Sequence, residues 1–171
     1  RFLDEMDLSQ DDPNVPNVRL IKGSHLIFPK LYEGDQAYIL QQPDKRIVFV
    51  IPYESDFTLI GTTEEVYEGD PLECRISNEE SEYLCMAHNR FFLKELSPEE
   101  AVFSYSGVRP LFDDGSQDPR CVTRGYKIYR HERYSAPLLS VFGGKLTTYR
   151  ALSEHVIDEL MNSIGHNLPA W

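Results

Sequence analysis

The sequence predicts an α+β fold built on a mixed, largely antiparallel sheet with helices on one face. Three observations carry that expectation. From Val18 to Thr62, short apolar runs with a period near two alternate with turn residues, whereas past Pro71 the period lengthens to nearly four. The last apolar run, Leu138 to Phe142, leads through Gly143-Gly144 into a second helical pattern. Roughly six or seven strands and two or three helices account for the whole, with the final strand and helix belonging to a neighbouring layer.

Residues 1–17 are acidic and punctuated by Pro13 and Pro16, which prevent a helix from continuing, so this stretch reads as a linker or arm. Val18 to Phe28 reads as a strand, ended by Pro29 and interrupted at Gly23-Ser24, where a glycine marks a bulge or a close backbone approach. His25 follows that interruption. Gln36 to Gln41 is a second strand, and Pro43-Asp44-Lys45-Arg46 is a turn. Ile47 to Pro52 is apolar throughout, as expected of a central strand covered on both faces, and Phe57 to Thr62 completes an antiparallel meander.

Ser77-Asn78-Glu79-Glu80 fits a capping box, with Tyr83, Leu84, Ala87 and Phe91 on one face of a helix expected from about Asn78 to Glu95. Ser97-Pro98-Glu99-Glu100 starts a second, short helix. Val102 to Val108 returns to alternation and ends at Arg109-Pro110, before a turn at Asp113-Asp114-Gly115. Cys121 to Tyr129 and Pro137 to Phe142 read as the last strands, and a helix follows from about Thr148 to Ile164.

At 171 residues the chain is one domain, or one domain and a piece of another. A domain of this size buries roughly 70% of the surface its unfolded chain exposes. The net charge of −11 argues against a general nucleic-acid or anionic-membrane surface, so any anion site must be local. The longest apolar run falls far short of the ~20 residues of a membrane span, and the chain reads as soluble. Cys74, Cys85 and Cys121 are odd in number and widely spaced, suggesting neither a disulfide framework nor a zinc site, and fitting a reducing, cytosolic setting. The chain begins with Arg1 and stops on Leu168-Pro169-Ala170-Trp171 without a closing element, which reads as a segment of something longer.

Chemistry concentrates at a few positions. At Gly143-Gly144-Lys145-Leu146-Thr147, two glycines admit close backbone approach, a helix N-terminus offers N–H groups, and Lys145 adds a full charge, making an anion-seeking corner. Thr147 or Thr148 can cap the helix. The alternative is a tight packing turn. His25 is either a hydrogen-bonded strand histidine or a general base, since imidazole titrates near neutral pH. Arg109 is either a surface ion-pair partner or a held guanidinium that grips an anion in bidentate fashion. Arg124 admits the same two readings, the second ranking lower. His88, His131, His155 and His166 lack metal-ligand spacing and read as structural or solvated. The carboxylate pairs Asp11-Asp12, Glu64-Glu65, Glu79-Glu80, Glu99-Glu100 and Asp113-Asp114 fall at turns and helix starts, where negative charge is favoured without catalysis.

The segments VRLIKGSHLIFPKLY, IVFVIPYESDFTLIGTTEEVYEGDP, YSGVRPLFDD and APLLSVFGGKLTTYR resemble, in that order, the middle and later part of the FAD-dependent glycerol-3-phosphate dehydrogenases of the respiratory chain, within the D-amino-acid-oxidase-like flavoproteins. The resemblance spans Val18 to about Ile164. It implies an arm over residues 1–17, a substrate-binding domain over 18–136, and over 137–171 the C-terminal strand and helix of a Rossmann-like FAD domain. The implied reaction oxidises sn-glycerol 3-phosphate to dihydroxyacetone phosphate, with hydride passing to FAD and electrons to quinone. By resemblance His25 takes the hydroxyl proton, and Arg109, with Arg124 assisting, holds the phosphate or the developing carbonyl oxygen. Lys145 stands near the flavin pyrimidine edge, and Gly143, Gly144, Lys145, Leu146 and Thr147 contact the cofactor. No metal is implied. The full-length protein is expected to be homodimeric and peripheral on the cytoplasmic face of the inner membrane. The family's Gly-x-Gly-x-x-Gly turn is absent from these residues, so the segment alone is expected to hold no FAD and to be inactive. A related amine or amino-acid oxidase, and a non-catalytic anion-binding module, are the competing readings.

Overall fold

The computed structural model describes residues 16–116, 123–131 and 136–165. The expected arm up to residue 15, Cys121, His166 and the closing Leu168-Pro169-Ala170-Trp171 lie outside the described residues. The chain forms two compact units, one from Leu20 to Arg109 and the other from the residues on either side of it.

The first unit is organised around one long strand, β1 (Val18–Pro29). Beside it stand β2 (Tyr38–Gln41), β3 (Ile47–Tyr53), β4 (Phe57–Gly61) and β5 (Glu65–Val66), in the order β2-β3-β4-β1-β5, with β6 (Phe103–Phe112) also paired to β1. The meander is antiparallel as expected, and its register aligns Ile39 with Phe49, Phe49 with Gly61, and Gly61 with His25. Strand β4 pairs His25–Pro29 of β1 and β5 pairs only Ile21–Lys22, so the partner strand breaks opposite Gly23-Ser24. There the Ser24 N–H donates instead to Thr63 Oγ1 at 2.9 Å.

One face of this sheet is covered by α1 (Asn78–Asn89). Leu26, Phe28, Leu40, Val48, Val50 and Ile60 pack there against Leu84, Cys85, Ala87 and Leu96. Ser77 caps the helix as its sequence promised: its hydroxyl accepts from the Glu80 N–H, and its own N–H donates to the Glu80 carboxylate. The helix is shorter than expected. It stops at Asn89, whose side chain bonds both the N–H and the C=O of Leu96 at 2.9 Å and folds the chain back, leaving Phe91 half exposed beyond the helix end.

Strands β3 and β6 are among those that differ from expectation. Strand β3 alternates, with Val48 and Val50 buried while Ile47 and Phe49 stay exposed, because α1 covers one face of the sheet and the other lies open among the described residues. Strand β6 runs through Arg109-Pro110 to Phe112 instead of ending at Val108. Proline is tolerated on an edge strand, where its missing N–H breaks no ladder.

In the second unit, β7 (Tyr126–His131) and β8 (Leu138–Gly143) form an antiparallel pair. The boundary expected at residue 136 falls between these two paired strands. A 3₁₀ turn at Leu146–Thr148 then leads into α2 (Tyr149–Ser163), none of whose residues is buried.

Candidate functional site

Alternation along two strands builds the site. Successive strand residues point to opposite faces, so in β1 Ser24, Leu26 and Phe28 face the helix while Gly23 and His25 face the open side. In β6 the same rule places Tyr105, Gly107 and Arg109 together and sends Ser106 the other way, where its hydroxyl meets Ser24 Oγ at 2.8 Å.

The side chains on the open face lie against bare backbone. The His25 ring rests on Gly61 so closely that a Cβ added there would stand 2.1 Å from His25 Cδ2. The Arg109 guanidinium likewise lies over Gly23, where an added Cβ would meet its Nη1 at 2.3 Å. The interruption at Gly23 is thus a close approach, and what approaches is the arginine side chain. Tyr105 stacks on His25, ring centroids 4.7 Å apart and planes inclined by 10°. Arg109 Nη2 donates to Thr62 Oγ1 at 3.2 Å.

Two nitrogens are left over. His25 Nδ1 and Arg109 Nη1 are buried and have no hydrogen-bond partner among the described residues. Buried polar atoms are nearly always satisfied, so this unpartnered pair marks the face as a candidate ligand site. Burial, helped by the positive charge of Arg109, holds the imidazole below its ordinary pKa of 6.5, which keeps it neutral and able to accept a proton at neutral pH. Burial also lowers the Arg109 pKa, without bringing so basic a group near neutrality. The ion pair that would make Arg109 an ordinary surface residue is not found among the described residues.

The second unit holds the other expected residues. Gly143 and Gly144 take φ values of 78° and 97°, in the region that favours glycine. The Gly144 N–H donates to the Gly125 carbonyl at 2.9 Å, and a Cβ on Gly143 would stand 2.7 Å from that oxygen. The glycine pair therefore serves packing as well as turning. Thr148 rather than Thr147 closes the turn, its hydroxyl accepting from the Lys145 N–H and donating to the Lys145 carbonyl. Lys145, Leu146 and Thr147 are exposed, and so is Arg124. Of the remaining histidines, His88 is buried and stacked on Phe92, His131 bonds Ser140 Oγ at 2.8 Å, and His155 lies exposed beside Glu159.

Residues 2–150 match the family described as FAD dependent oxidoreductase. The chain belongs to that family. It is 51% identical over 160 residues to the aerobic glycerol-3-phosphate dehydrogenase of Escherichia coli, covering 93% of this chain and 32% of that protein. It is 46% identical over 160 residues to the D-erythritol 1-phosphate dehydrogenase of Brucella abortus, covering 90% of this chain and 32% of that protein. Among solved structures, the glycerol-3-phosphate dehydrogenase of Bacillus halodurans complexed with FAD matches with a TM-score of 0.76 and 27% identity, over 99% of this chain and 32% of that one. The chain thus spans about a third of the length of these relatives.

The open face fits the chemistry of an FAD-dependent oxidoreductase. The register puts exposed Ile39 and Phe49 in one row with Gly61 and His25, an apolar floor on which a flat ring system can lie. A Cβ on Gly107, between Tyr105 and Arg109, would meet nothing within 4 Å, so the face is open at that position. Sequence reasoning missed Tyr105, Thr62 and Gly61. Of these only Tyr105 left a signal, its spacing of four from Arg109 on an alternating strand.

Proposed function

We propose that this chain is the substrate-holding segment of a flavin-dependent dehydrogenase that oxidises sn-glycerol 3-phosphate to dihydroxyacetone phosphate. The pairing of a neutral, half-buried imidazole with a half-buried guanidinium, each with a buried nitrogen unpartnered among the described residues, carries this reading. Alcohol oxidation needs a base for the hydroxyl proton, and a phosphorylated substrate needs a fixed cation. When bound, FAD would accept the hydride from the carbinol carbon.

Within that reaction His25 removes the hydroxyl proton. Stacking on Tyr105 and contact with Gly61 hold its ring in one orientation, and its low proton affinity leaves it unprotonated before substrate arrives. Arg109, steadied by Thr62, holds the phosphate or the oxygen that becomes the carbonyl. Arg124 and Lys145 add positive charge for the dianion, and Gly143, Gly144, Lys145, Leu146 and Thr147 are assigned to the cofactor. Electrons continue to quinone, and the full-length protein is a homodimer peripheral on the cytoplasmic face of the inner membrane. No helix among the described residues is long and apolar enough to cross a membrane. These 171 residues lack a Gly-x-Gly-x-x-Gly turn, and alone they retain no flavin.

A second polyol phosphate is a specific competitor, because the Brucella abortus relative named for D-erythritol 1-phosphate is nearly as similar as the Escherichia coli one. Anaerobic flavin reduction in the full-length protein with glycerol 3-phosphate, D-erythritol 1-phosphate and a panel of D- and L-amino acids separates the readings. Fast reduction by glycerol 3-phosphate supports the proposal. Reduction by amino acids alone overturns it.

A further inference from the structure

Behind the open face lies a buried carboxylate that the reaction does not use. Glu80, on the first turn of α1, is 2% exposed and shares its oxygens among four donors. Its Oε1 accepts from Ser24 Oγ at 2.9 Å and from Thr63 Oγ1 at 2.5 Å. Its Oε2 accepts from the Ser77 N–H at 2.9 Å and lies 2.8 Å from Lys22 Nζ. Lys22, itself buried, also reaches Glu65 Oε2 at 3.2 Å. Since Ser24 Oγ spends its proton on Glu80, Ser106 must donate to Ser24 across their 2.8 Å contact.

Each tethered residue is next in sequence to one that faces the site. Ser24 separates Gly23 from His25, and Thr63 follows Thr62, the partner of Arg109. Ser106 follows Tyr105, the ring stacked on His25. Helix capping alone asks only for the Ser77 half of this arrangement. We propose that Glu80 is a positioning residue for the reaction: through Ser24, Thr63 and Ser106 it clamps from behind the backbone that carries His25, Thr62 and Tyr105. Strand alternation makes this possible, because a hydroxyl on one face and a reacting side chain on the other share a single run of backbone. Glu80 is buried among Ser24, Thr63, Ser77 and Lys22 and acts only through them, and this role rests on the function proposed above.

The test uses the full-length protein with its flavin and whichever polyol phosphate reduces the wild type. Thr63→Val keeps the side-chain shape but removes the hydroxyl, and Thr63→Ser restores it. Glu80→Gln removes the charge opposite Lys22 and, because Lys22 and the Ser77 N–H can only donate, turns its NH₂ toward the Ser24 and Thr63 hydroxyls, which lose their acceptor. Ser77→Ala weakens the cap alone and serves as the stability control. The expected result is a fall in kcat on the order of 10- to 100-fold in Thr63→Val and Glu80→Gln, with flavin content kept. Thr63→Ser should recover most of that loss, and Ser77→Ala should lower Tm without lowering kcat. Wild-type kcat in Thr63→Val, or an equal loss in Ser77→Ala, overturns the proposal. Should Glu80→Gln fail to fold, Thr63→Val and Ser24→Ala decide by the same criterion. If no polyol phosphate reduces the wild type, the functional reading itself fails. Crystal structures of wild type and Thr63→Val then decide: displaced His25 and Thr62 support the clamp, and unmoved ones refute it.

Discussion

The Tyr105 ring lies flat on the His25 imidazole, with centroids 4.7 Å apart and only 10° between the planes. One residue sits on a strand of the meander and the other on the edge strand β6, so the stack ties β6 to the position of the imidazole. Such a pair contributes about 0.5–1.5 kcal/mol beyond its buried area. Tyr105→Phe should therefore keep the rate of flavin reduction in the full-length protein. Tyr105→Ala should lower it by up to about tenfold as the imidazole loses its fixed orientation. Equal rates in both variants would show that the stack does nothing for the base.

Gly23 and Gly61 have room for no Cβ, and the atoms in the way are side-chain atoms: the Arg109 guanidinium and Thr62 Oγ1 at Gly23, and the His25 ring at Gly61. Alanine at either position should thus displace those side chains, with an activity loss of about 100-fold or more. Gly107→Ala is the contrasting case, since its Cβ meets nothing within 4 Å. It should leave Tm unchanged and raise KM, because the methyl group enters space left for substrate. Thermal melts paired with steady-state kinetics check all three.

How far the sequence carried this reading depends on the range of each interaction. The capping box at Ser77 and Glu80 was legible because both halves lie within one turn. The close approach at Gly23 was legible as an approach, but not what approaches, since Arg109 arrives from a strand 86 positions on. The continuous apolar run at Ile47 to Pro52 misled about burial. Period alone cannot tell a strand covered on both faces from one whose outer face is apolar and open. Glu80 looked like one more helix-start carboxylate, and nothing local announces that Ser24, Thr63 and Lys22 converge on it. His25 and Arg109 were identified by type and by family resemblance, and the structure adds that both are half-buried, each with a buried nitrogen unpartnered among the described residues.

Stability should rise with pH across two windows. Burial keeps His25 and His88 below the ordinary 6.5, so below that value the unfolded chain binds protons the folded chain refuses, and stability falls with falling pH. Burial works against the Glu80 carboxylate, but Lys22, Thr63, the Ser77 N–H and Ser24 outweigh it and hold its pKa below 4.5. Its contribution is present above that value and is lost on further acidification. The Lys22 pKa, conversely, lies above 10.5 despite burial, because Glu80 and Glu65 outweigh the desolvation, so its contribution disappears only in strong alkali. Melting temperatures across the acid range should show both steps, and His88→Gln should flatten the upper one. A stability maximum near pH 5 would contradict these assignments.

Arg109→Lys keeps a positive charge but loses the planar fork and the bond to Thr62. A hydrogen bond to a charged group is worth about 1.5–3 kcal/mol, so kcat/KM for a phosphorylated substrate should drop by roughly 10- to 100-fold. The unphosphorylated polyol should show little change. An equal loss for both substrates would move Arg109 from phosphate recognition to the developing carbonyl oxygen.

The most direct measurement is anaerobic stopped-flow reduction of the full-length His25→Ala protein by glycerol 3-phosphate, after confirming that its flavin content equals that of the wild type. Loss of the base should slow reduction by about 10²- to 10⁴-fold with flavin retained. Reduction at the wild-type rate would contradict the account, because a neutral, half-buried imidazole on the open face of the sheet would then have no part in the chemistry.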